Sequence, residues 1–274
     1  MRDVVVILIS AVILRAFAGV LILSIHGEYP LFASMLVQVL FYFLLIVLSI
    51  KIFKLNARQW AEFAGEQPGI RGIGFAILWA IGCVAFEFGQ NAMEAWVLSQ
   101  FDRNFAKFWL FQESPRSHFP IEWSFFFCKV AIGALIAPVV EEFFFRGVML
   151  RALIAKNGFF VAALISSIIF TMLHFNNRDY ISTFIFGFSL CYIFSISRSL
   201  LVCVIIHSAY NFIVFVGHFY VDWHFLRSVG QDASVSDWSP QMWMYGFSIL
   251  LMASFAFKFR AAIANARLTS IRAS

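Results

Sequence analysis

Ile136-Ala137-Pro138-Val139-Val140-Glu141-Glu142-Phe143-Phe144-Phe145-Arg146 sets two carboxylates and a guanidinium in the middle of an otherwise apolar, phenylalanine-rich run. A helix that is apolar on every side is buried, either in the core of a large protein or in a bilayer. Composition decides between the two: 62% of the 274 residues are hydrophobic and 13% charged, whereas a soluble domain is roughly half apolar and a quarter charged. Since a spanning helix needs about 20 mainly apolar residues, the sequence predicts spans near 4–25, 31–50, 73–98, 124–154, 159–176, 180–197, 199–218 and 241–257. The expected fold class is therefore all-α, a polytopic membrane helix bundle of about eight transmembrane helices. No Pro-, Ser- or Gly-rich linker divides the chain, which reads as one integral-membrane domain over 1–274 with its chemistry within about 124–218.

The polar interruptions are informative. Glu87, Gln90, Asn91 and Glu94 break the run at 73–98, which reads either as one long helix facing a polar interior or as a span followed by an interfacial piece. Segment 99–123, with Phe101, Phe105, Phe108, Trp109, Phe111 and Trp123 among charges, reads as interfacial, because aromatic rings favour the headgroup level. Segment 219–240 is a loop with Asp222, Asp232 and Asp237. The first apolar run carries Arg15 and has no small-x-small site before His26-Gly27-Glu28, which predicts a retained span and not a cleaved signal.

The formal charge of +5 does not point to nucleic acid, because the basic residues sit at the ends of apolar runs. Twelve of them, including Arg2, Lys51, Lys54, Arg151, Lys156, Arg198 and Arg272, fall on the side of the termini, against five opposite (Arg103, Lys107, Arg116, Arg178 and Arg227). By the positive-inside rule both termini are expected in the cytoplasm, as for a multi-pass protein of the plasma (inner) membrane. Cys83, Cys128, Cys191 and Cys203 lie in apolar stretches without a CxxC pair and read as small buried hydrophobes.

Ionisable groups inside spans are costly and point to function when several can converge. Glu142 and Arg146 are four apart, share a helix face and can pair, whereas Glu141 lies about 100° round the helix and is the freer carboxylate. Phe170 and His174 close the fifth span, and the seventh presents His207 and Asn211 on one face. Ala155-Lys156-Asn157-Gly158 is a turn signal that makes the fourth and fifth spans an antiparallel hairpin. Glu141 and His174 are equidistant from it and are expected at one depth. Pro138 lacks an N–H and is expected to bend the helix one turn before the carboxylates.

At these residues the chain resembles the CAAX prenyl protease 2 family, within the wider CAAX protease and bacteriocin-processing (CPBP) group. Its pattern of EExxxR, FxxxH and HxxxN on separate membrane helices is met in order by Glu141-Glu142 with Arg146, Phe170 with His174, and His207 with Asn211. The resemblance covers about 124–218. It implies a glutamic-type intramembrane endopeptidase acting on a membrane-associated protein or peptide that reaches the site from the lipid bilayer. It further implies that Glu141 and His174 activate water, that Asn211 with His207 stabilises the oxyanion, and that Arg146 restrains Glu142. A carboxylate withdrawn from water is a stronger base, and fixed amide and imidazole donors suit a developing oxyanion.

Two rival functions share these residues. Zinc could be held by two carboxylates and two histidines, but HExxH is absent and an oxygen-rich set beside an arginine is a poor zinc site, so neither a metal nor any other cofactor is expected. A transporter or proton relay also uses intramembrane Glu, His and Arg, but no internal repeat is visible. Structural readings stand beside each residue: an internal ion pair for Glu142 and Arg146, burial of Glu141 against Arg15 or Lys129, an interfacial position for His174, and interhelical polar contacts for His207 and Asn211.

Overall fold

The computed structural model describes residues 65–102, 104, 123–174, 180–220, 246–251, 253–254 and, further upstream, 39–40, 42–43 and 47. The expected span at 4–25 with Arg15, most of the span at 31–50, segments 105–122 and 221–245, and both termini lie outside the described residues.

Among the described residues the chain is helical. Helix α1 runs over Ile70–Phe101, a helical run α2 over 123–150, α3 over Arg151–His174, α4 over Tyr180–Ser197 and α5 over Leu200–Tyr220. Among the described residues, three stretches are long and apolar enough to cross a membrane: Ile70–Asn91, Phe126–His174 and Tyr180–Ser197, with Leu200–Val216 a shorter apolar helix. Large apolar side chains left exposed on them, such as Ile77, Leu78 and Ile81 on α1 and Ile168 and Met172 on α3, give the lipid-facing surface of an integral membrane protein. The interrupted run at 73–98 is one continuous helix, the first of its two expected forms.

The chain divides into two compact units. The first comprises 1–68, 127–175 and 187–204, and so holds most of α2, all of α3 and the second half of α4. Here Phe126–His174 is 49 residues, more than twice what one crossing needs. Gly158, at φ 73°, breaks it. A side chain there would carry the left-handed penalty of about 1 kcal/mol or more, which glycine escapes. Cross-helix contacts Glu141–His174, Phe145–Phe170 and Arg146–Phe170 are all centred on Asn157-Gly158, the signature of antiparallel packing about that turn. The hairpin expected from Ala155-Lys156-Asn157-Gly158 is thus present, with its register.

Pro138 is accommodated by a change of helix type. Residues Ala131–Ile136 and Phe143–Leu150 are wound as π-helix around a short α-helical turn, Ala137–Glu142. Widening the winding just before proline removes the need for its missing N–H, and the backbone at Ile136 and Ala137 stays right-handed helical.

Small residues allow the helices of this unit to approach. A Cβ built on Gly187 of α4 would stand 3.1 Å from the Phe170 ring and 3.6 Å from Ser167. Ser167 also lies 4.0 Å from Cys191, and Cys203 reaches the Leu190 carbonyl at 3.7 Å. In hydrocarbon each hydroxyl needs a partner, and Ser167 and Thr171 donate to the carbonyls four residues back, at 2.7 and 2.8 Å.

The second unit comprises 69–126, 176–186 and 205–274, and so holds α1, the start of α4 and most of α5. Its packing is aromatic: Phe186 stacks on Tyr210 at 4.3 Å and meets His207 edge-on at 5.1 Å.

Candidate active site

The two adjacent carboxylates of α2 have different surroundings because consecutive helical residues point about 100° apart. Glu142 and Arg146 are both fully buried. Arg146 Nη1 donates to Glu142 Oε1 at 2.8 Å, Nη2 donates to the Gly187 carbonyl at 3.0 Å, and the guanidinium lies 4.8 Å from the Phe170 ring centroid and 5.8 Å from that of Phe145. A buried charge pair needs further partners to offset its desolvation; here a carbonyl and two ring faces serve the terminal nitrogens and the guanidinium plane, while the buried Arg146 Nε has no hydrogen-bond partner. The result is a clamp joining α2, α3 and α4. Nothing in it is poised to move a proton.

Glu141 faces another way. Its Oε1 accepts a 2.6 Å hydrogen bond from the Tyr42 hydroxyl, and its Oε2 lies 3.7 Å from His174 Nε2. The carboxylate is largely buried, its Oε2 included, whereas a third of the His174 side chain is accessible. His174 is oriented by its own helix: Nδ1 lies 2.8 Å from the Phe170 carbonyl. A carbonyl can only accept, so Nδ1 carries the proton and, in the neutral ring, Nε2 presents its lone pair to Glu141. The ring also rests on Phe170, centroid to centroid 4.3 Å. Two acceptors therefore face each other across 3.7 Å, beyond the range of a direct hydrogen bond.

In the second unit His207, 1% exposed, and Asn211, partly buried, stand four apart on α5 and share a face as expected. Glu87 of α1 is buried and accepts a hydrogen bond from Tyr210, which lies between them in sequence. Glu94 accepts from Gln90 one turn earlier. These two carboxylates, which interrupt the apolar run at 73–98, thus have polar partners inside the second unit.

Tyr42 is the residue that sequence reasoning missed. It is separated from Glu141 by 99 positions and belongs to no motif. The available hint was a phenol within the apolar run Leu40-Phe41-Tyr42-Phe43, because a buried tyrosine hydroxyl usually finds a partner.

Residues 123–213, which include every motif residue of this site, match the Rce1-like family of type II CAAX prenyl endopeptidases. A second similarity is to YdiL of Bacillus subtilis (strain 168), a protein itself described only provisionally as a membrane peptidase: 28% identity over 87 residues, 32% of this chain and 36% of that protein. The match thus spans about a third of the length of the curated relative. No solved structure matches. The resemblance first read from Glu141-Glu142 with Arg146, Phe170 with His174 and His207 with Asn211 is, over residues 123–213, a match to the Rce1-like type II CAAX prenyl endopeptidases.

Proposed function

We propose that this protein is an intramembrane endopeptidase of the CAAX protease type, acting without a metal ion on a protein or peptide substrate that enters from the bilayer. Water bridging Glu141 Oε2 and His174 Nε2 attacks the scissile carbonyl carbon. One of its protons passes to the Glu141–His174 pair, the oxygen bonds to carbon, and the carbonyl electrons move onto oxygen. Asn211, with His207, donates hydrogen bonds to that oxyanion. The tetrahedral intermediate then collapses, the C–N bond breaks, and the proton held by the pair is delivered to the leaving amine. Tyr42 and the Phe170 carbonyl fix the carboxylate and the imidazole, so that little reorganisation accompanies the transfer. Arg146 with Glu142 holds the hairpin in register.

The observation that carries this reading is the approach of two oriented acceptors, Glu141 and His174, to 3.7 Å beside a buried clamp, with a third of the His174 side chain accessible. The match of residues 123–213 to a peptidase family supports it. The predicted eight-span bundle, single domain and cytoplasmic termini complete the proposal.

Its test is Glu141→Gln, nearly isosteric but unable to take a proton. Membranes of cells making the wild-type protein, the variant or neither are compared by mass spectrometry of protein termini. New termini are expected with the wild type alone, while the variant accumulates to the same level. Identical termini with the variant would remove the general-base role.

A further inference from the structure

Glu87, Gln90, Asn91 and Glu94 follow one another on α1 at intervals of three, one and three residues, which confines them to a single helix face about 100° wide. The first three lie within the apolar stretch Ile70–Asn91 that is long enough to cross the membrane. Glu87 and Gln90 are 4% and 3% exposed, so the stripe faces inward. Its inner end is tied to Tyr210, which donates to Glu87, and its outer end is tied by Gln90 Nε2 donating to Glu94. Gln90 Oε1, however, is buried and accepts no hydrogen bond.

A buried amide oxygen without a donor costs about 1–3 kcal/mol, and in hydrocarbon no bulk water relieves it. Leucine or alanine at position 90 would avoid that cost and favour the helix at least as well. An acceptor kept at such a position, flanked by two carboxylates and a second amide on the same face, calls for a small donor able to reach several of them.

We propose that this face of α1 lines a narrow water-filled passage that leads to Tyr210, between His207 and Asn211 in sequence, and hydrates the helix that carries these two side chains. Water fits this position: it donates to Gln90 Oε1 and needs only a few polar partners per molecule. Polar side chains within a span characteristically line such water-filled cavities. Use of this water in hydrolysis rests on the peptidase reading; hydration of the stripe does not.

The test is hydroxyl-radical footprinting of the full chain in lipid nanodiscs, where radicals formed from bound water modify side chains beside it. Tyr210 is expected to be modified at least several-fold faster than Phe144, which is buried in the apolar interior of the first unit. In a Gln90→Leu protein that still accumulates and folds in the membrane, Tyr210 modification is expected to fall severalfold. Tyr210 as protected as Phe144 in the wild type would overturn the proposal, as would a folded Gln90→Leu protein with unchanged Tyr210 modification. The two readings separate cleanly. A hydrated stripe in a protein whose Glu141→Gln variant leaves cellular termini unchanged removes the peptidase and keeps the passage, and a dry stripe with Glu141-dependent cleavage does the reverse.

Discussion

Glu141 and Glu142 are neighbours in sequence and differ in everything that matters for chemistry. Glu142 is closed in a fully buried ion pair with Arg146, whose second terminal nitrogen is taken by the Gly187 carbonyl. Glu141 is held on one oxygen by Tyr42 and turns the other toward an imidazole that is itself partly accessible. The lesson is that a helix separates adjacent carboxylates by 100°, enough to give one a guanidinium and the other a phenol and a partly accessible imidazole.

The largest expected effect attacks the closed side. Arg146→Met leaves Glu142 buried without its cation, which typically costs about 3–5 kcal/mol; thermal unfolding of the purified protein is expected to show a large loss, or the protein to fail to accumulate. Replacing both partners, Glu142→Leu with Arg146→Met, is expected to recover most of that stability. Were the single and double variants equally unstable, the clamp would not be an ion pair in the energetic sense.

On the open side, Tyr42→Phe removes one hydrogen bond to a carboxylate, worth about 1.5–3 kcal/mol. The cleavage rate constant is expected to fall by about tenfold or more with KM little changed, and the melting temperature to shift less than in Arg146→Met. A change confined to KM would assign Tyr42 to substrate binding instead. Gly187→Ala places a methyl 3.1 Å from the Phe170 ring and is expected to cost about 1 kcal/mol, the low end for overpacking, with a smaller loss of rate because Phe170 also orients His174. The smallest expected effect is that of strong chelators on the cleavage rate: none. Chelator inhibition reversed by zinc would replace the metal-free mechanism.

Short-range features were legible in the sequence. The Glu142–Arg146 pair follows from i,i+4 spacing alone, and the Glu141–His174 approach from their equal distance to a turn marked by Asn157-Gly158. The long stretch of α1 was visible as an apolar run, although its polar residues left two readings open. What depends on contacts across the fold was not legible. Tyr42 reaches Glu141 over 99 positions, and Arg146 reaches the Gly187 carbonyl over 41; neither partner carries a local signal. The π-helical winding on both sides of Ala137–Glu142 was not expected either. Proline announces a break in the hydrogen-bond ladder, and whether the helix kinks or widens is decided by the packing around it.

The most direct measurement of the claim that Glu141 and His174 act as one unit on one water is a double-variant cycle in the cleavage rate. Glu141→Gln, His174→Gln and the pair are made, and formation of the wild-type-dependent termini is timed in reconstituted membranes. Each single variant is expected to lose about 10²–10⁴-fold, and the double variant to be no slower than the worse single one, as for residues that work together. Losses that multiply in the double variant would show two independent roles and contradict the shared water.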